Sequence, residues 1–325
     1  MKYNPLIVRM IPTAQQITAA QQLIKAYIHH TPVLQSRLLN ELAGAELFFK
    51  CENFQKTGSF KMRGAAHAIL QLSPEQRAKG VVTHSSGNFA QAVALAAQLL
   101  GVKASIVMPN NAPAVKKRAV ESYGGEVIEC PPTLAAREHH AQKIVQEKGA
   151  AFLHPSNQLE VILGQATAAY ELLQEQPNLE VLVPPVGGGG LLAGTALAAH
   201  YFGQNCLTLA GEPLAADDAF RSLQSGKIED NDHINTLADG LRTQLGNQNF
   251  PIIQQYVQQI IRVTEEEIMQ ALQLLWERLK IICEPSSAVA LAAVLQQKEQ
   301  LNNKKIGIII SGGNVDVPKI AAHWQ

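Results

Sequence analysis

Short apolar runs alternate with longer stretches of helical spacing along most of these 325 residues. The runs 46–52, 80–84, 105–109, 126–130, 151–154, 181–186, 207–211, 260–264 and 305–311 read as strands. Helical patterns occupy 90–100, 113–123, 134–147, 158–174, 191–201, 265–279 and 286–297. Several of the strand runs are apolar at almost every position rather than at every second one. Such strands are buried on both faces, the mark of parallel sheets covered by helices. The pattern predicts an α/β protein. A chain of this length needs more than one small core, so two lobes are expected. No repeat, low-complexity tract or flexible linker separates them, so the lobes must be closely joined.

Three strand ends carry polar, glycine-containing turns: Thr83-His84-Ser85-Ser86-Gly87-Asn88, Val186-Gly187-Gly188-Gly189-Gly190 and Ser311-Gly312-Gly313-Asn314. Open α/β sheets bind ligands beyond the carboxyl ends of their strands. Three such mouths predict one composite site between the lobes. In the second mouth, successive glycines let backbone N–H groups converge on an anion, and the following helix adds its dipole. A phosphate is the natural guest, although the loop is no Walker motif, because no Gly-Lys-Ser/Thr follows. Gly188-x-Gly190-x-x-Ala193 also fits a loose dinucleotide fingerprint, with Glu212 near the place of a ribose-binding acid. That would make the chain a nicotinamide dehydrogenase. A tight packing turn is the third reading. The first mouth offers two hydroxyls and an amide, a set suited to a carboxylate or a ring oxygen. Helix capping by Ser85 or Ser86 is its plain alternative. His84 reads as a structural histidine.

A further turn precedes Lys61. The strand-like run 46–52 leads through Asn53-Phe54-Gln55-Lys56-Thr57-Gly58 into helical composition from about Ser59. Lys61 therefore falls in the first turn of a helix, where unpaired N–H groups and the positive dipole end disfavour an ammonium. Phe60 and Met62 flank it, and a desolvated lysine gives up its proton more readily. A neutral amine attacks aldehydes, so Lys61 is a candidate Schiff-base former. The alternative is a surface lysine opening a helix.

Ser59-Phe60-Lys61-Met62-Arg63-Gly64-Ala65, Ser85-Ser86-Gly87-Asn88, the four glycines from Gly187 and Ser311-Gly312-Gly313-Asn314 occur in that order. Together they resemble the fold-type-II pyridoxal-phosphate enzymes, the tryptophan-synthase-β superfamily, over nearly the full length. Within it the chain is most similar to serine racemases and to serine/threonine and 3-hydroxyaspartate ammonia-lyases. The resemblance implies two α/β lobes of parallel-rich twisted sheets flanked by helices. A large lobe of residues 1–79 and 158–325 would bind the cofactor, and a small lobe of 80–157, inserted in it, would close on substrate. It also implies a homodimer acting on a small hydroxy amino acid.

The resemblance assigns Lys61 to the Schiff base with the cofactor aldehyde. Phe60 would pack on one ring face, and Gly240, in Leu237-Ala238-Asp239-Gly240, would leave room on the other. Asn88 would hold the phenolic oxygen, and Gly187, Gly188, Gly189, Gly190 and Leu191 the phosphate. Ser311 would face the pyridine nitrogen. A neutral hydroxyl there does not enforce protonation of the ring, which disfavours transamination and suits elimination. Ser85, Ser86, Asn88 and Arg137 would receive the substrate carboxylate, with an exposed helix arginine as the alternative for Arg137. Ser86 stands where threonine-specialised dehydratases have alanine and racemases have serine. It would give or take the α-proton on the face opposite Lys61. The resulting expectation is an ammonia-lyase that turns L-serine or L-threonine into a keto acid and ammonia. Serine racemase or 3-hydroxyaspartate ammonia-lyase activity is the alternative.

Gly211-Glu212-Pro213-Leu214-Ala215-Ala216-Asp217-Asp218 adds hard oxygen ligands. By the same resemblance Glu212, the Ala216 carbonyl and Asp218 would bind Mg²⁺ or Ca²⁺ in a structural or activating role. A solvated acidic helix start is the plain alternative. Two positions depart from the family pattern: Phe89 replaces a histidine, and Ser156 is unusual in His154-Pro155-Ser156-Asn157-Gln158. Glu277, Arg278, Lys280 and Glu284 lie in a stretch related to the allosteric nucleotide site of animal serine racemases, which the resemblance does not carry over, and a solvated helix face explains them equally well.

Composition narrows the classes further. Apolar residues make up 46% and the formal net charge is zero, so there is no electrostatic case for nucleic acid or an anionic membrane. Cys51, Cys130, Cys206 and Cys283 are scattered without CxxC spacing, which fits free thiols in a reducing compartment. Met1-Lys2-Tyr3-Asn4-Pro5-Leu6 lacks a signal-peptide apolar region, and no run reaches membrane-span length, so a cytosolic protein is expected.

Overall fold

The computed structural model describes residues 11–231 and 233–324, so the Met1 to Leu6 segment lies outside the described residues. Among the described residues ten strands form two sheets. They are β1 (Val33–Leu34), β2 (Glu46–Cys51), β3 (Val81–His84), β4 (Ala104–Pro109), β5 (Glu126–Cys130), β6 (Ala151–Phe152), β7 (Val181–Val183), β8 (Leu207–Pro213), β9 (Gln259–Val263) and β10 (Lys305–Ile310). The larger sheet runs β1-β2-β10-β7-β8-β9 and the smaller β5-β4-β3-β6. The smaller sheet is thus built from a stretch of chain inserted between two strands of the larger one. Every pairing is parallel except β1 with β2. β10 is central because it is apolar from Ile306 on: Ile306, Ile308, Ile309 and Ile310 are all fully buried. The α/β architecture expected from the periodicity is the one observed.

The differences have local causes. β7 stops at Val183 because Pro184 and Pro185 follow and proline cannot donate to a ladder. β6 covers only Ala151–Phe152, leaving His154 in a turn. The helix expected over 265–279 is α-helical for Glu265–Leu274, then becomes a π-helical turn, Leu275–Leu279, ended by Lys280 at φ 60°. Among the described residues no helix is long and apolar enough to cross a membrane.

The helix Leu159–Glu175 organises the site. Gly164 meets the backbone of Arg63 and Gly64 where a Cβ would sit, so the helix Lys61–Leu70 packs on it at backbone distance. On its other flank, a Cβ on Gly194 would lie 2.7 Å from Ala166 N, which brings in the helix Gly190–Phe202 as closely. One helix thereby fixes both the Lys61 helix and the glycine-loop helix.

Beneath Lys61 lies a buried charge cluster. Arg63 Nε is 2.7 Å from Glu52 Oε2, and its Nη2 is 2.7 Å from Glu171 Oε2. Lys50 Nζ reaches Glu171 Oε2 at 2.9 Å and donates to the Thr31 carbonyl at 2.7 Å. Thr31 Oγ1 donates to Glu52 Oε1 at 2.6 Å. Burial alone would raise Glu171, but hydrogen bonds from Arg63 and the charges of Arg63 and Lys50 hold it down at about 2. Burial would likewise lower Arg63, and Glu52 and Glu171 push it up instead. The cluster ties β2 to the helices Lys61–Leu70 and Leu159–Glu175.

Candidate active site

Four strand ends converge. After β2, the chain turns through Thr57 and Gly58, both at positive φ (60° and 72°), and starts a helix at Lys61. After β10, Gly313 N donates to the Gly58 carbonyl at 2.9 Å and Asn314 Nδ2 to the Thr57 carbonyl at 2.7 Å. Phe60 N donates to the Ser311 carbonyl at 3.0 Å. Two motifs some 250 residues apart are zipped together, which places Ser311 beside the start of the Lys61 helix.

Lys61 occupies the first helical position, as its sequence predicts, and its Nζ donates to the Pro155 carbonyl at 2.9 Å. The amine lies 4.8 Å from the Phe60 ring centroid and 5.8 Å from that of Phe89. Burial lowers its pKa to about 8, against a smaller opposing pull from Glu284. The Phe89 departure thus puts a second apolar ring beside the amine. At that value about a tenth of Lys61 is a neutral nucleophile at pH 7, far more than for an exposed lysine.

The glycine loop follows β7. Gly187, Gly188, Gly189 and Gly190 are all buried, and Leu191 is in the first turn of Gly190–Phe202. Side chains cannot replace them. A Cβ on Gly188 would lie 2.5 Å from Ser156 Oγ, and one on Gly190 2.5 Å from Gln165 Oε1. Gly189, at φ 78°, is the helix N-cap and has no side-chain cap, so the first N–H groups are left for a ligand. Gly240 lies in the turn Asp239–Leu241 against Gly187, and its N–H donates to Ser286 Oγ at 3.0 Å.

The Ser85, Ser86 and Asn88 mouth follows β3. Neither serine caps the helix Asn88–Leu99: Gly87 is the N-cap and no side chain caps it. Ser85 Oγ accepts only a long bond from Gly87 N, 3.4 Å. Ser85 and Ser86 are half-buried, so their hydroxyls remain for a ligand. Asn88 is already engaged. Its Nδ2 donates to both Glu284 oxygens, at 3.0 and 3.2 Å, and its Oδ1 accepts from Asn314 at 3.0 Å. Ser311 is buried and shares a 3.1 Å hydrogen bond with Ser287 Oγ. Arg137 is half-buried on Leu134–Lys148, beside His84; burial first, then this guanidinium, lowers the His84 pKa.

Glu284 corrects the reading of a solvated helix face. It is 4% exposed and packs against Gly312, Asn88 and the Gly240 turn. Burial first raises its pKa, to about 7. The signal was present: Pro285 marks the first helical position of Pro285–Gln296, which puts Glu284 at the N-cap. Glu277 and Arg278 do form an exposed pair, at 3.6 Å.

Glu212, Ala216 and Asp218 come together but are not solvated; each is at most 1% exposed. Glu212 accepts N–H bonds from Ala219 (2.9 Å) and Phe220 (2.8 Å). Asp218 accepts from Asn231 Nδ2 (2.6 Å) and Leu245 N (3.1 Å). Burial, then Asp218, raises Glu212 well above the carboxylate range, and burial raises Asp218 to about 6. Among the described residues no group of three or more His, Cys, Asp or Glu side chains is placed to hold a metal, so any cation there would lean on the Ala216 carbonyl.

Two α/β layers, a desolvated lysine at one strand end and a glycine-lined anion cradle at another define an enzyme built around a phosphorylated aldehyde cofactor. The chain belongs to the family described as pyridoxal-phosphate dependent enzymes, which it matches over residues 24–312. It is 50% identical to the serine racemase of Dictyostelium discoideum over 95% of this chain and 97% of that one. It is 44% identical to a beta-hydroxyaspartate dehydratase of Paracoccus denitrificans, covering 95% and 98%. Among solved structures, maize serine racemase superposes with a TM-score of 0.93 at 43% identity, covering 97% of each chain. A threonine deaminase from Solanum lycopersicum superposes with a TM-score of 0.89 at 31% identity, covering 96% and 93%. None of these is a nicotinamide dehydrogenase. Pyridoxal phosphate is the cofactor of this chain's family, and the uncapped N–H groups of the glycine cradle and the lowered Lys61 pKa fit it.

Proposed function

We propose that this protein is a pyridoxal-phosphate-dependent ammonia-lyase for small β-hydroxy amino acids, converting L-serine to pyruvate and ammonia and L-threonine to 2-oxobutanoate and ammonia. The observation that carries the reading is the Lys61 amine, with its pKa near 8, together with the uncapped glycine cradle and two serine hydroxyls not used in helix capping. The cofactor, when bound, supplies an electrophilic aldehyde and an electron-withdrawing ring that acidifies the substrate's α-C–H bond. The chain's residues do the rest. Lys61 Nζ holds the cofactor and takes the α-proton. The backbone N–H groups of Gly187, Gly188, Gly189, Gly190 and Leu191 hold the phosphate. Phe60 and Gly240 would border the two faces of the cofactor ring. Ser311 would face its pyridine nitrogen as a neutral hydroxyl. Ser85, Ser86 and Arg137 bind the substrate carboxylate. Asn88 can hold the phenolic oxygen only by sharing or exchanging its bond to Glu284. Residues 80–157 form a lobe that closes over the substrate and excludes water, and a cytosolic homodimer completes the reading.

Serine racemisation is a second reading, favoured by Ser86. Its hydroxyl is free of helix capping, and the racemase relative is half identical to this chain. We also propose Mg²⁺ or Ca²⁺ at Glu212, the Ala216 carbonyl and Asp218, because burial raises the proton affinity of both carboxylates, Asp218 raises that of Glu212 further, and a dication would relieve this. Chelation is expected to lower the unfolding midpoint, and added Mg²⁺ or Ca²⁺ to restore it; a midpoint indifferent to both sinks the metal. For the reaction, the holoenzyme is incubated separately with L-serine, D-serine, L-threonine and threo-3-hydroxyaspartate, and keto acid and enantiomer are measured together. Keto acid from L-serine or L-threonine supports the lyase. Inverted serine with little keto acid puts the racemase first, and no product from any of the four overturns both.

A further inference from the structure

The turn between the two sheets, 154–157, touches both halves of the site through its backbone. The Pro155 carbonyl takes the Lys61 amine at 2.9 Å and Gln165 Nε2 at 3.3 Å. The Ser156 carbonyl takes Asn249 Nδ2 at 3.1 Å, and the same amide holds the Gly188 carbonyl of the glycine cradle at 2.8 Å. Two side chains bond the backbone of this turn: Gln158 Oε1 accepts from His154 N at 3.0 Å, and the His154 ring takes the next two donors. His154 Nδ1 lies 3.2 Å from Ser156 N and 2.8 Å from Asn157 N, so two successive backbone N–H groups point at one ring nitrogen. A nitrogen facing two donors must offer its lone pair, which puts the ring hydrogen on Nε2.

We infer that His154 is a positioning residue: as a neutral Nε2–H imidazole it folds the 154–157 turn and so sets the Lys61 amine relative to the glycine cradle. A protonated ring would turn an N–H toward two N–H groups and open the turn. The surroundings keep the ring neutral. Phe152 and His84 pack against it, at 6.3 and 6.4 Å between ring centroids, and Glu138 is the acidic residue lining the cavity of about 180 Å³ that it shares with them. Burial, then His84 and Lys61, lowers its pKa to about 4, while Glu138 is exposed and does not offset this.

The claim rests on Lys61 being the working amine, but two of its tests do not depend on that. In ¹⁵N-histidine NMR of the holoenzyme, His154 is expected as the neutral Nε2–H tautomer down to about pH 5; an Nδ1–H tautomer, or titration near pH 6.5, overturns the inference. Hydrogen exchange at Ser156 and Asn157 is expected to quicken at least about tenfold in His154→Leu. It should stay near wild type in His154→Asn, whose Oδ1 replaces the Nδ1 acceptor. Equal exchange in the two variants overturns it. The third test reads Lys61 itself. Leu at 154 should lower kcat at least about tenfold with KM little changed, and Asn should recover most of the loss. A loss that Asn does not rescue, with both variants folded, assigns His154 a purely structural role. If Lys61 proves not to carry the cofactor, the first two tests still decide the turn.

Discussion

Lys61 and Arg63 stand two residues apart on one helix, and their fates are opposite. Arg63 is fully buried, yet its guanidinium meets Glu52 and Glu171 at 2.7 Å and its charge is reinforced. Lys61 has a backbone carbonyl and two aromatic rings around its amine and no carboxylate in contact, and its pKa falls to about 8. A buried cation with matched anions is held charged and ties elements together. One denied an ion pair keeps a lone pair within reach and can do chemistry. The helix turns one face to each task, so the structural cation anchors the reactive one.

Removing each cation should break the contrast in a different place. Lys61→Ala is expected to cut turnover by at least about a thousandfold, while stability in urea changes by no more than about 1 kcal/mol. Borohydride treatment followed by peptide mass spectrometry should find the cofactor fixed on Lys61 in the wild type and nowhere in the variant. Arg63→Met leaves buried Glu52 without a cation and Glu171 with Lys50 alone. A cost of about 3–5 kcal/mol is expected, read as a lower urea midpoint. If Lys61→Ala proves as destabilising as Arg63→Met, the division of labour is wrong.

The two cations also differ in how far the sequence announces them. Lys61 was legible because its chemistry is local: the polar turn, the helix start and the flanking Phe60 lie within a few residues. The glycine cradle was legible for the same reason. The Arg63 partnership was not, because its second anion, Glu171, is 108 residues away and only the packing of Gly64 on Gly164 brings it near. Glu284 reads as part of a solvated face, although Pro285 marks the helix start beside it. Among the elements, long apolar strands were visible, whereas β1 has two residues and pairs antiparallel, too short to carry a period. The helices Ala14–Ile24 and Pro74–Lys79 were overlooked, yet each opens with a capping box, Thr13 with Gln16 and Ser73 with Gln76. The π-helical turn Leu275–Leu279 has no signal in an otherwise even helical pattern.

Across the site from Lys61, Ser86→Ala sharpens what the lysine does alone. General acid–base help of this kind is worth about a hundredfold or more. Racemisation and D-serine elimination should fall by about that factor, and L-serine elimination much less, with both enantiomers and keto acid followed in one assay. Equal losses for the two enantiomers would remove Ser86 as a second-face proton carrier.

Glu284→Gln tests the contrast at its finest. Glu284 is the nearest thing Lys61 has to an anionic partner: it raises the lysine's pKa, though less than burial lowers it. Burial keeps Glu284 itself near pH 7, so its charge is present when Lys61 titrates near 8. Glutamine preserves one oxygen for the Asn88 amide, now 3.0 Å from a carboxylate oxygen, and removes the charge together with the second acceptor at 3.2 Å. An ammonium that loses a neighbouring carboxylate is less favoured, so the Lys61 pKa should fall further. In the cofactor-free protein, the midpoint for acylation of Lys61, followed against pH by mass spectrometry, should move to lower pH by less than about one unit. A shift to higher pH would mean that Glu284 acts through the packing of the Gly240 and Gly312 segments rather than through its charge. No shift at all would show that Lys61 owes its reactivity to desolvation alone, making its separation from the paired cation two residues away complete.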